Sequence, residues 1–243
     1  MSRKTQRNRA NPERPRPLVD SAPHANRRGR RTIVIGAVVA LLLAVLVGTL
    51  LHKSEKTSSS QVMDTSIRSA LASEHSPALG EASARVHIVE FIDPACETCA
   101  QFFPLVKQLM ADNPGKIRLS IRHVAFHNGS DYVVRLLEAS RKQDKYLPTL
   151  EALLASQAQW APDHTAQPYL VLRAVAGVGL NVGQLMADMN APEVAQRVER
   201  DRQDAVVLKV TATPEYFVNG RPMPSFGEQQ LLELVREELQ KAY

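Results

Sequence analysis

Val89-Glu90-Phe91-Ile92-Asp93-Pro94-Ala95-Cys96-Glu97-Thr98-Cys99 holds the only two cysteines of a 243-residue chain, and it joins two different patterns. Upstream, Arg85 to Ile92 (RVHIVEFI) carries Val86, Ile88, Val89, Phe91 and Ile92 and reads as a buried strand. Asp93-Pro94 ends it. Downstream, a helix is predicted from about Cys96 to Met110, with Phe102, Phe103, Leu105, Val106 and Leu109 for a core face. Pro104 falls inside that helix and predicts a kink rather than an end, because the apolar pattern resumes after it. A Cys-x-x-Cys pair at a helix start has a definite chemistry. Free N–H groups and partial positive charge at the helix end favour a thiolate on the first sulfur, and the second lies one turn on, within bonding reach.

The remaining elements follow outward from this junction. Asn113-Pro114-Gly115 is a turn, and Lys116 to Val124 (KIRLSIRHV) alternates Ile117, Leu119 and Ile121 inward as a second strand. From about 130 to 207 the pattern is helical, with candidate helices at 131–142, 144–157, 167–176, 182–190 and 192–207. Strand character returns at Glu215–Val218, Asn219-Gly220 makes a hairpin turn, and Pro222 and Pro224 limit the returning strand to a short edge. A last helix runs from about 227 to 241. The fold class is therefore α/β: one sheet with helices on its faces, its first two strands parallel because a helix joins them.

The charge is segregated. Residues 1–31 hold ten Lys/Arg against Glu13 and Asp20, whereas residues 52–243 hold twenty Lys/Arg against twenty-three Asp/Glu, so the overall +5 belongs to a tail. No aromatic residue interleaves with those arginines, which argues against a nucleic-acid partner. The tail's Arg, Asn and Pro content predicts disorder. Ile33 to Leu51 carries no charge, and 32–51 is long enough to cross a bilayer as one helix. Arg27, Arg28, Arg30 and Arg31 precede it, which places the N-terminus in the cytoplasm and the bulk of the chain outside. A cleaved signal peptide is the competing reading, but the apolar run is long for one and no small-x-small site follows. Residues 52–75 read as a linker, with a short amphipathic helix over 61–73 through Val62, Ile67, Ala70 and Leu71; the folded domain is expected from about Ser76 to Tyr243.

Taken together, 76–243 resembles the thioredoxin fold in its DsbA-like form, in which a helical domain (about 130–207) is inserted into the thioredoxin core. Three stretches carry the resemblance: the quoted strand and Cys-x-x-Cys helix, Thr211-Ala212-Thr213-Pro214-Glu215-Tyr216-Phe217-Val218-Asn219-Gly220, and Ser76-Pro77-Ala78-Leu79-Gly80. The resemblance implies a thiol–disulfide oxidoreductase acting on protein substrates, with Pro214 cis, the backbone of Thr213 pairing with bound peptide, and Glu90 a buried acid that relays a proton to the resolving thiol. It implies a bacterial envelope, a periplasmic or extracytoplasmic domain anchored in the inner membrane, and a membrane redox partner: DsbB-like for an oxidase, DsbD-like for a reductase or isomerase. Oxidising members often carry Pro-His between the cysteines; Glu97-Thr98 stands there instead, leaving the direction of electron flow open with a lean to oxidase from the resemblance.

Thiol–disulfide exchange needs an exposed, ionised attacking sulfur and a second sulfur to resolve the mixed disulfide. Cys96, at the helix start, is the expected nucleophile and Cys99 the buried resolving thiol; the expected redox group is their disulfide, with no further cofactor. Glu97 beside Cys96 is expected to raise its pKa. Rival readings are a structural disulfide, a two-thiolate copper site, and a substrate-holding module; zinc usually takes four ligands, and His87, His123, His127 and His164 show no paired spacing. His127 is read as a solvated loop residue, with a place near the active site as the alternative, and Trp160, Tyr169 and the Met186/Met189 pair as core.

Overall fold

The computed structural model describes residues 41–42, 64–72 and 74–243. The expected basic tail, nearly all of the expected membrane span 32–51 and most of the linker lie outside the described residues. Among the described residues no helix is long and apolar enough to cross a membrane. The chain divides into units 1–57 and 58–243, and the second unit holds every described strand.

The centre of this second unit is a five-stranded sheet in the order β1-β3-β2-β4-β5, made of β1 (Ala78–Leu79), β2 (Val86–Ile92), β3 (Ile117–His123), β4 (Glu215–Val218) and β5 (Arg221–Pro222). β2 runs parallel to β3, to which α2 (Glu97–Asp112) connects it, and antiparallel to β4, with Glu90 opposite Tyr216. The mostly apolar run of β2, broken only by His87 and Glu90, has a simple cause: both of its faces are covered. Val86, Ile88 and Ile92 enter the main core with Ile117, Leu119 and Ile121. Val89 and Phe91 enter a smaller cluster with Val124, Ala205 and Phe217. Glu90, by strand alternation, shares the main-core face.

Cys99, Phe102, Phe103 and Val106 are the buried positions of α2, the i, i+3, i+4, i+7 stripe of a helix lying on a sheet. Cys96 is the residue at its N-cap, so the helix begins one residue later than the pattern suggested. Pro104 lies on the exposed side and the helix runs through it to Asp112. On the same side of the sheet, α9 (Glu228–Ala242) buries Leu231, Leu234 and Val235. The hairpin between β4 and β5 turns through Asn219 (φ 49°) and Gly220 (φ 80°), the paired positive φ angles for which Asn-Gly is favoured.

Between β3 and β4 lies the helical insertion: α3 (Ser130–Ser140), α4 (Tyr146–Ala155), α5 (Gln157–Trp160), α6 (Pro168–Ala174), α7 (Val182–Asp188) and α8 (Pro192–Val207). The helix expected over 144–157 ends early because Ser156 leaves helical backbone (φ −113°, ψ 13°), and α5 is a separate turn. Trp160 is buried, its indole N–H donating to the Leu153 carbonyl at 2.8 Å, and Met189 is buried. Tyr169 and Met186, expected in the core, are instead exposed, at 71% and 40%. Helical spacing does not say which side of a short helix faces in.

The helix over 64–72, α1, belongs with this unit rather than with a linker. Ala70 is buried, Leu71 packs against the smaller cluster, and the Ala70 carbonyl accepts a 2.7 Å hydrogen bond from Arg122. The same fully buried guanidinium donates to Asp201 at 2.5 Å and to Asp204 on α8. Asp201 also meets His75 at 2.7 Å and accepts the His123 amide at 2.7 Å. A network of charge thus fastens the insertion and α1 to β3.

Candidate active site

The two cysteines sit where β2 gives way to α2, and both are free thiols. Cys96 keeps 6% of its surface, Cys99 none. At the N-cap, Cys96 lies over the unpaired amides of the first turn. Its pKa is lowered from 9.0 to about 5, first by the hydrogen bond from the Cys99 thiol, then by the Thr213 side chain and the amides of Cys99 and Thr98, against the opposing effect of burial. Cys99 is pushed far up by burial, then by the neighbouring Cys96 and Glu90 charges. The surroundings favour the thiolate at Cys96 and the thiol at Cys99. Glu97, expected to raise Cys96, is not among the main causes of its shift: its side chain is exposed and turns to Gln101, 3.4 Å away.

Thr213 and Pro214 meet the cysteines from the other side. Their peptide bond is cis, and Cys96 Sγ lies 3.3 Å from the Thr213 carbonyl oxygen. Glu90 is fully buried beneath. Burial raises its pKa from 4.5 to about 7, against a 2.9 Å hydrogen bond from the Tyr216 hydroxyl. Its other oxygen, Oε2, has no hydrogen-bond partner among the described residues. Glu90, Cys96, Cys99, Thr213 and Pro214, chosen from two separated stretches of sequence, therefore converge at one end of the sheet.

Three further residues reach this end without having been singled out. Asp93 is fully buried, accepting the Ala95 amide at 2.9 Å on one oxygen and the Phe126 amide at 2.7 Å on the other. Gln157 of α5 donates to the carbonyls of Pro94 (2.7 Å) and Cys96 (2.8 Å). His164 Nδ1 lies 3.3 Å from the Ala95 carbonyl. The only sequence signal was Asp-Pro as a turn former. His127, read as a solvated loop residue, instead stands 2.8 Å from Asp93 and stacks on His164 with ring centres 5.0 Å apart. His123 is buried away from the sulfurs, its Nε2 2.9 Å from the Tyr146 hydroxyl. A pocket of about 380 Å³ opens beside the pair, lined by Glu97, Gln157, Asp163 and His164 among others. Among the described residues no group of three or more His, Cys, Asp or Glu is arranged to hold a metal ion.

The family model described as Thioredoxin matches residues 72–237, well over half of the chain. The chain belongs to the thioredoxin family. Within that family, the solved structure of a thioredoxin-like oxidoreductase from Silicibacter pomeroyi DSS-3 is 30% identical and superposes with a TM-score of 0.62, covering 72% of this chain and 99% of that one. Disulfide bond formation protein D of Bacillus subtilis (strain 168) is 26% identical over 171 residues, 67% of this chain and 77% of that protein. The Na(+)/H(+) antiporter NhaA of Herminiimonas arsenicoxydans is 28% identical over 197 residues, 79% of this chain but 30% of its own length. The chain spans less than a third of the length of the NhaA relatives it matches. The sheet with its helical insertion is the thioredoxin-like arrangement expected from the sequence.

Proposed function

We propose that the protein is a DsbA-type thiol–disulfide oxidoreductase that oxidises protein dithiols outside the cytoplasm. One observation carries the reading: at the start of α2 the outer sulfur is stabilised as a thiolate while the inner sulfur, one turn on, is buried as a thiol. A substrate thiolate attacks Cys96 Sγ of the Cys96–Cys99 disulfide, and Cys99 leaves. The mixed disulfide is then attacked at the substrate sulfur by the second substrate thiolate, and Cys96 leaves. The substrate gains a disulfide; the protein gains two electrons and one proton, which goes to Cys99, while Cys96 leaves as a thiolate. A low-pKa leaving thiol speeds the second step. Cys99, for which burial makes the thiolate unfavourable, takes a proton, and Glu90 is the buried acid poised near neutrality to supply it. Thr213, next to cis Pro214, offers backbone to the incoming peptide.

The oxidising direction is supported by the Cys96 pKa of about 5. Thioredoxin's first cysteine lies near 7 and that of DsbA near 3.5, and stabilising the reduced form makes a stronger oxidant. The name of the Bacillus relative, disulfide bond formation protein D, agrees. The uncharged run 33–51 behind an arginine cluster supports a membrane anchor with the domain outside, where a DsbB-like quinone-linked partner would reoxidise the pair.

The test is the equilibrium of the Cys96–Cys99 disulfide with glutathione. A potential well above about −270 mV and toward about −120 mV is expected, and one at or below the thioredoxin value would overturn the oxidase assignment. Cys99→Ser is expected to accumulate a mixed disulfide through Cys96. Thiols inert to alkylation and to dithiothreitol in the folded chain would remove the activity altogether.

A further inference from the structure

The turn that carries Cys96, residues 93–96, has every backbone polar group accounted for, a completeness that buried segments require. The Cys96 amide donates to the Asp93 carbonyl at 3.0 Å. The Ala95 amide donates to Asp93 Oδ1, and Pro94 has no amide hydrogen. The carbonyls of Pro94 and Cys96 accept from Gln157, and that of Ala95 faces His164. The remaining amide, that of Asp93, points at the Cys99 sulfur and favours its ionised form. Residue 93 thus touches both halves of the redox pair through its main chain.

Its side chain is what holds it there. The carboxylate is fully buried with no lysine or arginine among its hydrogen-bond partners. Oδ1 accepts the Ala95 amide at 2.9 Å and the Ser130 hydroxyl. Oδ2 accepts the amides of Phe126 at 2.7 Å and His127 at 2.9 Å and lies 2.8 Å from His127 Nδ1. These groups come from the turn itself, from the segment after β3 and from the start of α3. Burying a carboxylate this way is costly unless every lone pair is used, and here the donors are all in place. A residue needed only to end a strand requires no such set.

We propose that Asp93 is the positioning residue of the redox pair: its carboxylate clamps the pre-cysteine turn to the loop after β3, fixing the amides that face the Cys96 and Cys99 sulfurs. This rests on the redox reading above. The carboxylate takes no part in bond exchange. It keeps the α2 N-terminus aimed at Cys96, so loosening it weakens the thiolate and makes the disulfide less oxidising.

The test uses the full chain with Asp93→Asn and Ser130→Ala, following the pH profile of Cys96 alkylation by iodoacetamide and the glutathione equilibrium. In the unaltered chain the alkylation midpoint is expected near pH 5. In D93N, whose amide group cannot accept from two facing N–H groups, the midpoint rises by about one unit or more and the glutathione equilibrium moves about tenfold toward the protein disulfide. Ser130→Ala, which leaves the carboxylate in place, moves both the same way by less. Variants that lower the melting temperature but keep both readouts at the unaltered values overturn the proposal, and S130A alone decides this if D93N does not fold. An unaltered chain whose Cys96 titrates near its ordinary 9.0 would instead overturn the redox reading, and this inference with it.

Discussion

Two of the places in which the domain buries acidic groups treat them in opposite ways. At the seam between β3 and the insertion, the charges are matched. Arg122 has Asp201 and Asp204, and Glu138 has Arg141 at 2.8 Å, Arg197 at 2.7 Å and His123, whose Nδ1 approaches to 3.2 Å without hydrogen-bond alignment. Beneath the cysteines, Glu90 has one hydroxyl partner and one bare oxygen. Burial pushes both glutamates up; at Glu138 the cationic neighbours outweigh it and bring the pKa down to about 2, while Glu90 stays up at about 7. Matched buried charge holds parts together, whereas an under-matched acid remains able to exchange its proton near neutral pH.

The largest expected effect comes from breaking the seam. Arg122→Met leaves Asp201 and Asp204 buried or half-buried without their guanidinium, and removing one member of a buried pair costs about 3–5 kcal/mol. Urea unfolding measures it. Adding Asp201→Asn is expected to recover part of the loss, since the orphaned charge goes with it. The alkylation midpoint of Cys96 in the folded protein is expected to stay where it was. A large shift in that midpoint would show that the two regions are not independent.

The next contrast is in pH. Glu138 has a folded pKa of about 2 against 4.5 unfolded, so its contribution is complete above about 4.5 and is lost as pH falls toward 2. Glu90 has a folded pKa of about 7 against 4.5, so the unfolded chain ionises first and stability declines as pH rises from 4.5 to about 7, then levels. Each limb amounts to about 3 kcal/mol. Urea titrations of the disulfide form between pH 2 and 8 are expected to show a dome. Glu90→Gln should flatten its neutral limb alone, and Glu138→Gln should flatten part of its acid limb. Loss of both limbs in either variant would contradict the assignment.

How much of this was legible beforehand differs between the two regions. The strand ending in Ile92, the cysteine helix and the Asn219-Gly220 hairpin were readable because each is a local pattern: a short apolar run ended by Asp-Pro, a 3.6-residue stripe, a turn dipeptide. Glu90, six residues before Cys96 on a mostly apolar strand, was readable as a candidate only through the resemblance to the thioredoxin fold. The seam was not readable, since Arg122 meets Ala70 and Asp201, which lie 52 residues before it and 79 after it. No periodicity announces such a pairing. Asp93 hid for the same reason: its donors at Phe126, His127 and Ser130 come from the loop after β3 and the start of α3. The early end of α4 at Ser156 and the outward Tyr169 depend on how the short insertion helices pack, not on their composition.

A smaller effect separates the groups around Cys96 itself. The Thr213 side chain is among those that lower its pKa, after Cys99. Thr213→Val keeps the shape at the cis peptide but removes the hydroxyl. It is expected to raise the alkylation midpoint by a few tenths of a pH unit, on the order of 0.5–1 kcal/mol for one lost hydrogen bond. No change would mean that the hydroxyl does not reach the thiolate.

The smallest expected effect is the one local sequence made look largest. Glu97 follows Cys96 directly, and a carboxylate so close in sequence would be thought to push the thiol up. Its side chain is solvent-exposed on the first turn of α2 and turned toward Gln101, while the Cys96 sulfur faces Thr213. Water screens the one interaction and the buried amides supply the other. Glu97→Gln is therefore expected to leave the Cys96 alkylation midpoint within about 0.3 pH units at physiological salt, a change within the range of surface charge effects. Repeating the profile at low ionic strength sharpens the point: a midpoint that drops in E97Q only when salt is removed marks a screened through-solvent effect. A drop of a full unit at high salt would place the carboxylate against the sulfur, and the exposed rim of the site would then have to be counted with its buried floor.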